Sequence, residues 1–427
     1  MKRLKNILIA VLSAACICIT AIGFVGCKSD CNHEWDSVTV KEATCTEEGL
    51  VKKNCIQCGE EVLDEIPLLG HSYKDKRCER CGGKEASQGL TLELNEDKKS
   101  YSITGIGTCE DVDLILPDIY NKLLVTRIAN GAFKECTNLT SIEIPDTITT
   151  IGYRAFYHCE NLAFKEFGNC KYLGNQNNSY HALIETVGLN YETYDINKDT
   201  KLIADRAFSN CTAVTSIVIP EGVIAMGENV FLKTHCLARV EIPDSLIKMG
   251  EYAFSNCSGL NTISVSENNT VYKSIDGNLY TKDGKMLIKY ATGKTEKTFK
   301  IPDGVTTVGD EAFHNCQGLT NVEIPQSVTS LGKYVFSNCN NLTSVIIPDG
   351  ITEIKMSTFH TCSNLTSVVI PDNVKKIDKV AFTNCINLKN ITFKGTIKKW
   401  NAIVKTEDWA KGTTTTVVCN DGTIKIN

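Results

Sequence analysis

The chain has 427 residues, of which 42% are hydrophobic and 22% charged, as in folded proteins that bury a large core. A formal net charge of −5 gives no general attraction to phosphate backbones, which argues against nucleic acid as a partner. Nine prolines against 21 cysteines is an unusual balance, and the positions of both residue types are informative.

The first 26 residues predict an export signal. The start is basic, and residues 7 to 26 carry no charge. This run ends in FVGC at Cys27, which resembles a bacterial lipobox, a signal that is cleaved before a cysteine whose thiol is then lipid-modified. The alternative is an uncleaved anchor, since about 20 apolar residues can span a bilayer. Both alternatives tether the chain to the outer face of the cell membrane, through a short linker at 27–30 in the lipoprotein case.

Residues 31 to 83 are rich in cysteine and histidine. Two Cys-x-x-Cys-Gly sequences lie 19 residues apart, which fits the spacing of a zinc ribbon. Tetrahedral zinc takes four such ligands, so eight would complete two closed structural sites. A segment this short, with few large apolar residues, needs a cross-link such as a bound metal ion to stay folded. The predicted ligands are Cys31, His33, Cys45, Cys55, Cys58, His71, Cys78 and Cys81.

Three disulfides are the alternative for this segment, because the chain is exported and six of these residues are cysteines. Disulfides do not account for His33 and His71, each followed two residues later by an aromatic residue. The segment also resembles short Cys/His segments beside repeats in exported proteins of Gram-positive bacteria. Zinc is therefore the prediction, with the grouping of the ligands left open and a linker expected at 84–90.

From residue 91 onward, a pattern with an interval of 23 residues dominates. An Ala-Phe pair or a close variant is followed three residues later by Cys and six later by Leu, each in eight of nine cases. A short alternating stretch ending in Ile-Pro follows, as expected of a strand with one buried face. One repeat cannot bury enough apolar surface to fold alone, so the pattern predicts a stacked solenoid. The nine phenylalanines are Phe133, Phe156, Phe208, Phe231, Phe254, Phe313, Phe336, Phe359 and Phe382.

The consensus Cys-x-x-Leu-x-x-Ile-x-Ile-Pro-x-x-Ile-x-x-Ile-Gly-x-x-Ala-Phe resembles the BspA-like leucine-rich repeats of bacterial surface proteins. Residues 105–133 resemble the opening rung of that family, and residues 391–426 resemble its closing segment, in which Trp400 and Trp409 should cover the last rung. The resemblance implies a β-rich solenoid of short parallel strands with an irregular convex side, spanning 91–390 and capped by 391–427. It also implies binding to proteins or host surfaces, and it brings no catalytic residues.

Two interruptions predict inserts in the solenoid. The interval is 52 residues from Phe156 to Phe208 and 59 from Phe254 to Phe313, so inserts are expected near 163–203 and 266–300. In the second, residues 282–285 (KDGK) lie between two apolar-rich stretches and predict a hairpin turn. The first looks like a diverged version of the same insert. Such hairpins either contact a partner or are decoration.

The cysteines and histidines of the repeats are predicted to be structural. Stacked strands lie about 4.8 Å apart, which places neighbouring Cβ atoms beyond the comfortable disulfide range, so buried thiols should act as apolar fillers. His158, His314 and His360 shift by one residue within what should be an exposed turn, unlike a catalytic base. Four further cysteines have no assignment from sequence: Cys109, Cys170, Cys236 and Cys419.

The outward residue of each repeat strand is the candidate for partner contact. These residues change from mainly acidic to apolar along the array: Glu143, Val218, Glu241, Glu323, Ile346 and Val369. The leading hypothesis is a lipid-anchored, non-catalytic cell-surface protein that binds an extracellular protein or glycan through this face and the inserts. A self-associating envelope protein is the alternative, and a surface hydrolase is the least favoured.

Overall fold

The structure, a computed structural model, describes residues 31–426. The predicted export signal and the lipid-modified Cys27 lie outside the described residues. The chain divides into two compact units, the first ending at Arg127 with the addition of Pro145–Ile148, and the second containing Ile128–Ile144 and the chain from Thr149 onward.

The first unit contains the Cys/His-rich segment and the start of the repeat region. Its leading strands form an antiparallel sheet in the order β1-β2-β3, and β4 and β5 form a short hairpin. Within 31–83 the buried hydrophobic side chains are three cysteines, Cys45, Cys55 and Cys78, so this segment has no aliphatic or aromatic core. The strands of this unit are β1 Trp35–Lys41, β2 Gly49–Cys55, β3 Glu61–Ile66, β4 Tyr73–Lys74, β5 Arg77–Cys78, β6 Thr91–Leu94, β7 Ser100–Gly105, β8 Asp113–Ile115, β9 Ile119–Tyr120 and β10 Leu123–Ile128.

The second unit is a solenoid in which most rungs contribute a first strand, usually followed by the repeat proline, and a second strand of two residues. The first strands of the rungs, here called A strands, pair in parallel as β17-β19-β21 and as β25-β27-β29-β31-β33-β35. The A strands are β11 Ser141–Glu143, β17 Ser216–Val218, β19 Arg239–Ile242, β21 Thr262–Val265, β25 Thr298–Lys300, β27 Asn321–Glu323, β29 Ser344–Ile346, β31 Ser367–Ile370, β33 Asn390–Phe393 and β35 Thr415–Cys419.

The second strands, here called B strands, form a separate parallel column. They are β12 Thr150–Ile151, β16 Leu202–Ile203, β18 Ala225–Met226, β20 Lys248–Met249, β26 Thr307–Val308, β28 Ser330–Leu331, β30 Glu353–Ile354, β32 Lys376–Ile377 and β34 Val404–Lys405. The alternation of buried and exposed residues along the A strands places one face in the core and leaves the other accessible. The predicted β-rich leucine-rich-repeat solenoid is confirmed.

A third column of hydrogen bonds, here called the turn ladder, runs through the Ala-Phe turns. Tyr334, Phe336 and Asn338 donate their N–H groups to carbonyls of the next rung at 2.8–3.0 Å. Tyr334 and Asn338 have φ of 57° and 59°, so left-handed residues lie on either side of the phenylalanine. This arrangement directs all three N–H groups toward the next rung. The ladder therefore has a direction, because each turn presents N–H donors on one edge and C=O acceptors on the other.

The phenylalanines stack along the axis. Ring centroids of Phe313, Phe336, Phe359 and Phe382 lie 5.2–5.5 Å apart, with planes within 19° of parallel. The buried side chains form two clusters, one from Cys170 to Leu279 and the other from Tyr280 to Cys419.

The repeat cysteines are buried as predicted, except for the half-buried Cys136, but they are more than apolar fillers. Cys339 Sγ donates to the carbonyl of Phe313, in the preceding rung, at 3.1 Å, and Cys362 and Cys385 make the equivalent bond at 3.0 Å. Thr234, the exception to the cysteine pattern, donates its hydroxyl to Phe208 O at 2.8 Å. The position therefore selects a small side chain with a hydrogen-bond donor, and the sequence-based interpretation missed the donor.

Both inserts are three-stranded antiparallel meanders, which confirms their predicted likeness. The third strand of each also pairs in parallel with the next B strand, so the insert starts a new section of the B column. The predicted turn at 282–285 is present between two of these strands, where Gly284 has φ of 74°. The strands are β13 Lys165–Phe167, β14 Cys170–Leu173 and β15 Ala182–Thr186 in the first insert, and β22 Tyr272–Ile275, β23 Asn278–Thr281 and β24 Met286–Lys289 in the second.

The closing segment covers the last rung as predicted. Helix α1, Ile397–Ala402, begins after the N-cap Thr396 and buries Trp400. Trp409 packs edge-on against Phe382 at 6.0 Å, and its carbonyl accepts the Phe382 N–H at 2.7 Å, extending the turn ladder. The final strand β36, Gly422–Ile426, pairs antiparallel with β35 and ends the A sheet.

The thiol–carbonyl bond can be isolated at Cys339 with two nearly isosteric replacements. We expect Cys339→Thr to be more stable than Cys339→Val by about 1 kcal/mol, because only threonine retains a donor for Phe313 O. Urea denaturation of both variants measures this difference. Equal stability would show that the thiol acts by volume alone, since Phe313 O also accepts the N–H of Cys316.

Burial also makes the repeat thiols unreactive. It raises the pKa of Cys257 and of Cys385 to about 12, so the thiolate fraction at pH 8 is on the order of one in 10⁴. We expect iodoacetamide to label the exposed Cys236 in the native protein while Cys257, Cys316, Cys339, Cys362 and Cys385 are labelled only after denaturation. Peptide mass spectrometry checks this, and rapid native labelling at any of the five would contradict their placement.

Candidate metal centres and the exposed strand face

Each Cys-x-x-Cys-Gly sequence forms a tight turn that directs two thiols to one point. Gly59 donates its N–H to Cys55 O at 2.8 Å, and Gly82 makes the same bond to Cys78 O. The two glycines have φ of 76° and 74°, in the left-handed region that a residue without Cβ adopts readily. Cys55 and Cys78 are also the last residues of β2 and β5, which fixes their backbones.

The first candidate centre consists of Cys31, His33, Cys55 and Cys58, whose ligand atoms all lie within 4.8 Å of one another. Cys31 Sγ lies 3.7 Å from Cys55 Sγ, and Cys58 Sγ lies 3.5 Å from His33 Nδ1. The His33 ring stacks on Trp35 at 5.0 Å, which holds the imidazole in place.

The second candidate centre consists of Cys45, His71, Cys78 and Cys81, within the same 4.8 Å limit. Cys45 Sγ lies 3.8 Å from Cys78 Sγ, and Cys81 Sγ lies 3.4 Å from His71 Nδ1. The His71 ring stacks on Tyr73 at 5.4 Å, as its counterpart stacks on a tryptophan. The structure thus brings together all eight predicted ligands in two matched sets of three thiols and one imidazole.

These distances fit a four-coordinate metal. Tetrahedral bonds of about 2.3 Å to sulfur and about 2.05 Å to nitrogen would separate two sulfurs by about 3.8 Å and a sulfur from a nitrogen by about 3.5 Å. A disulfide requires sulfurs about 2.05 Å apart. The observed separations of 3.4 to 3.8 Å match the metal geometry, so both sets can hold a metal ion.

The two sets interleave along the chain, because Cys45 lies between ligands of the first centre but belongs to the second. This is why spacing alone did not assign the ligands. Only the pairing of β1 with β2, which places Trp35 opposite Cys55, brings the first Cys and His to the first turn.

A carboxylate lies behind each histidine. His71 Nε2 is 2.9 Å from both oxygens of Asp118, and His33 Nε2 is 3.4 Å from Glu60. Such partners fix the tautomer that leaves Nδ1 free to bind metal. The sequence-based interpretation missed both; Asp118 lies 47 residues from His71 and gives no local signal.

The electrostatics of the two turns favour thiolates at Cys55 and Cys78. Burial raises the pKa of Cys55, but the backbone N–H of Cys58 and the imidazole of His33 outweigh it and lower the pKa to about 6. At Cys78, burial is likewise outweighed by N–H donors of Cys81 and Ser72, which lower the pKa to about 5. Thiolate is the form of cysteine that binds metal.

The six candidate binding-face residues lie on A strands, but not in one sheet. Val218 and Glu241 are opposite each other in the β17-β19-β21 sheet, while Glu323, Ile346 and Val369 lie in the later sheet, and Glu143 lies on β11. The second insert separates the two sheets. Ile346 is 59% exposed and Val218 56%, whereas Val369 is half-buried.

Two acidic members of this face, Glu241 and Glu323, have basic neighbours. Arg239 Nε lies 3.0 Å from Glu241, and Lys300 Nζ lies 3.8 Å from Glu323. Lys300 is opposite Glu323 on the neighbouring strand, a contact that was not predicted. Lys300 also contacts Asp303 at 3.3 Å, so the outward column of the later sheet runs from a lysine shared by two carboxylates through Ile346 and Val369 to Thr392 and the exposed Val418.

The repeat histidines differ in their exposure. His158 is exposed and His360 half-buried, but His314 is only 9% exposed, so its predicted place in an exposed turn is wrong. Its Nδ1 lies 3.4 Å from Glu311 and its Nε2 lies 3.2 Å from Asn338 of the next rung. These two neighbours cover the ring, so His314 is a packed link between rungs.

The fold and the repeat define a bacterial leucine-rich-repeat solenoid. Residues 116–191, 186–281 and 290–404 match the family described as BspA type leucine rich repeat region, in six copies. The match spans well over half of the chain, which therefore belongs to this family of bacterial surface proteins. A search of curated proteins found no match.

Three solved structures are similar to this chain. A leucine-rich cell surface protein from Faecalibacterium prausnitzii is 25% identical, covering 75% of this chain and 97% of its own, with a TM-score of 0.42. The pneumococcal vaccine antigen PcpA is 16% identical, with coverages of 79% and 87% and a TM-score of 0.48. A leucine-rich repeat protein from Eubacterium ventriosum is 18% identical, with coverages of 77% and 94% and a TM-score of 0.43.

Helices are scarce in this fold, and across residues 31–426 none has the length and apolar character needed to cross a membrane.

Metal stoichiometry tests the two centres. We expect the protein to bind two metal ions per chain, and Cys58→Ser or Cys81→Ser to bind one, because each removes a ligand from a different set of four. Elemental mass spectrometry after gel filtration gives the ratio. Cys236→Ser, which removes an exposed thiol outside both sets, is the matched control and should retain two ions. Two retained ions in Cys58→Ser would contradict the first centre.

Proposed function

We propose that this protein is a non-catalytic, lipid-anchored cell-surface protein whose solenoid binds an extracellular protein through its A-strand face. The supporting observation is the outward column of the later A sheet, which exposes Ile346 on a strand paired on both sides. A sheet that is fully paired presents its side chains on a rigid surface, which lowers the entropy lost on binding.

The apolar character of this column favours a protein over a glycan. Ile346 and Val369 are directly opposite each other, and Val418 continues the same row beyond Thr392. Branched aliphatic side chains gain free energy by removing apolar surface from water, and the ion pair of Glu323 with Lys300 supplies a polar border.

The first insert is the better candidate for additional contact. It exposes four large apolar side chains, whereas within 266–300 of the second insert no large hydrophobic residue is exposed. Since both inserts have the same strand arrangement, this difference lies in their side chains and favours a binding role for the first insert alone. The four are Phe167, Val187, Leu189 and Tyr191.

We propose further that the metal in both centres is zinc with a structural role. Three thiolates and one imidazole in tetrahedral arrangement suit zinc, which would leave no open position for a substrate. Zinc would replace the missing apolar core of residues 31–83 and would keep this segment folded between the lipid anchor and the solenoid. The lipid anchor at Cys27 rests on the sequence of the export signal.

Binding through the A-strand face is tested with Ile346→Thr and Val369→Thr together, which keep β-branched side chains and remove apolar surface. We expect at least a tenfold loss of affinity for a captured extracellular protein, because losing about 1.4 kcal/mol of apolar contact changes affinity tenfold. Surface plasmon resonance on an array of extracellular matrix and secreted proteins, followed by titration of the captured ligand, measures the effect.

Val404→Thr is the matched control, because Val404 is an equally exposed valine, at 61%, on a B strand. The control should bind like the wild type. Equal loss in both variants, or binding only to glycans on the array, would refute protein binding through the A-strand face.

A further inference from the structure

The turn ladder is interrupted where the first insert enters the solenoid. Gly131, Phe133 and Glu135 donate their N–H groups to the turn at 153–157, and Arg206 resumes the ladder by donating to Glu228 O. Between them, the insert supplies one backbone donor, Thr186, to Ala207 O at 3.2 Å. The insert thus fills the core of a rung without forming its Ala-Phe turn.

This interruption leaves one edge of the ladder open. In the described part of the chain, the N–H groups of Arg154, Phe156 and His158 donate to no protein acceptor. Arg154 and His158 have φ of 56° and 59°, the same left-handed values as in intact rungs, so all three N–H groups point away from the preceding rung. They face a cavity of about 490 Å³ that this turn shares with Ala204, Asp205 and Arg206. Successive N–H groups of this kind form anion-binding concavities.

Two arginines lie at the same cavity. The Arg206 guanidinium lies 4.2 Å from the centroid of the Tyr153 ring, and the Arg154 guanidinium lies 4.9 Å from Tyr153 and 4.5 Å from Tyr157. Within residues 31–426, neither arginine forms an ion pair with a carboxylate. The tyrosines therefore hold two guanidiniums in position without neutralising them.

Three carboxylates, Glu160, Glu185 and Asp205, also line the cavity, and none of them forms an ion pair with either arginine in the described chain. Glu185 is paired with Lys171 at 2.9 Å, and Asp205 accepts the Glu228 N–H at 2.8 Å. Glu160 is exposed to solvent at the rim. The cavity therefore combines three backbone donors with two guanidiniums, which together can surround an oxyanion.

The second insert provides an internal comparison. It interrupts the ladder in the same way and leaves the N–H groups of Tyr252, Phe254 and Asn256 without acceptors in the described chain. Its cavity of about 440 Å³ is lined by three carboxylates, Glu251, Asp310 and Glu311, and by two lysines, Lys289 and Lys355. The backbone is alike, but no arginine lines this second cavity and its carboxylates outnumber its cations, so the cavity at the first insert is the better suited to an anion.

We propose that the cavity at the first insert binds an oxyanion carried on a monosaccharide-sized ligand, that is, a sugar acid or a sugar phosphate. Its volume lies within the range of pockets that enclose small polar molecules. The carboxylate or phosphate would receive the ladder N–H groups and the two guanidiniums. This site does not require the proposed binding through the A-strand face, since it shares no residue with that face.

Calorimetric titration of the full-length, metal-loaded protein in mild detergent tests the proposal, with glucuronate, glucose 6-phosphate and glucose as ligands. We expect glucuronate or glucose 6-phosphate to bind and glucose not to bind, and the tighter of the two identifies the oxyanion. Arg154→Asn with Arg206→Asn should weaken binding at least tenfold by removing both charges. Asparagine tolerates the left-handed φ of 56° and 59°, so the turns should be retained.

Lys233→Asn is the matched control, because Lys233 is an exposed cation with φ of 58° in an intact rung and does not line the cavity. It should leave binding unchanged. If the double variant is misfolded by circular dichroism, Arg154→Asn alone replaces it, since Arg154 is exposed. Failure of both anionic ligands to bind, equal binding of glucose, or unchanged affinity in the arginine variant would overturn the proposal.

Discussion

The solenoid depends on backbone hydrogen bonding from each rung to the next. In the described chain, a rung satisfies only some of its own N–H and C=O groups, because its strands are two to five residues long and its Ala-Phe turn points donors one way and acceptors the other. Buried backbone groups without partners are costly, so every rung needs a neighbour on both sides. In the closing segment, the Trp409 carbonyl accepts the Phe382 N–H and so gives the last rung a partner. The same demand explains why an interruption leaves open donors.

The side chains of the repeat follow from this stacking. Phenylalanine rings lie above one another because their backbones are linked in register, and the cysteine position lies against the phenylalanine carbonyl of the previous rung. A threonine serves there as well as a cysteine, which identifies the shared donor as the common property. The contacts that a side chain makes with the neighbouring rung therefore decide which residue type occupies each position of the repeat.

The Cys/His segment is held together differently. Its buried hydrophobic side chains are cysteines, so it lacks the packed aliphatic residues of the solenoid, and its eight candidate ligands converge in two sets. The link from His71 to Asp118 ties the second set to the start of the repeat region, within the first unit. If this set holds the proposed zinc, loss of the metal would therefore also affect the start of the repeat region.

The repeat, the solenoid, the likeness of the two inserts and the capping role of Trp400 and Trp409 were predictable from the sequence, as were the eight residues that the structure gathers into two candidate metal sites, because each leaves a local pattern of residue types at fixed spacing. The tertiary structure was needed to divide these residues, because Gly70 donates its N–H to Cys45 O and so places Cys45 beside His71 in the second set. It also decided the burial of His314, the counterions of the A-strand face and the open turn-ladder edge beside Arg154 and Arg206. These features arise between residues distant in sequence, and a pattern read along one chain does not show which backbone groups lack a neighbour.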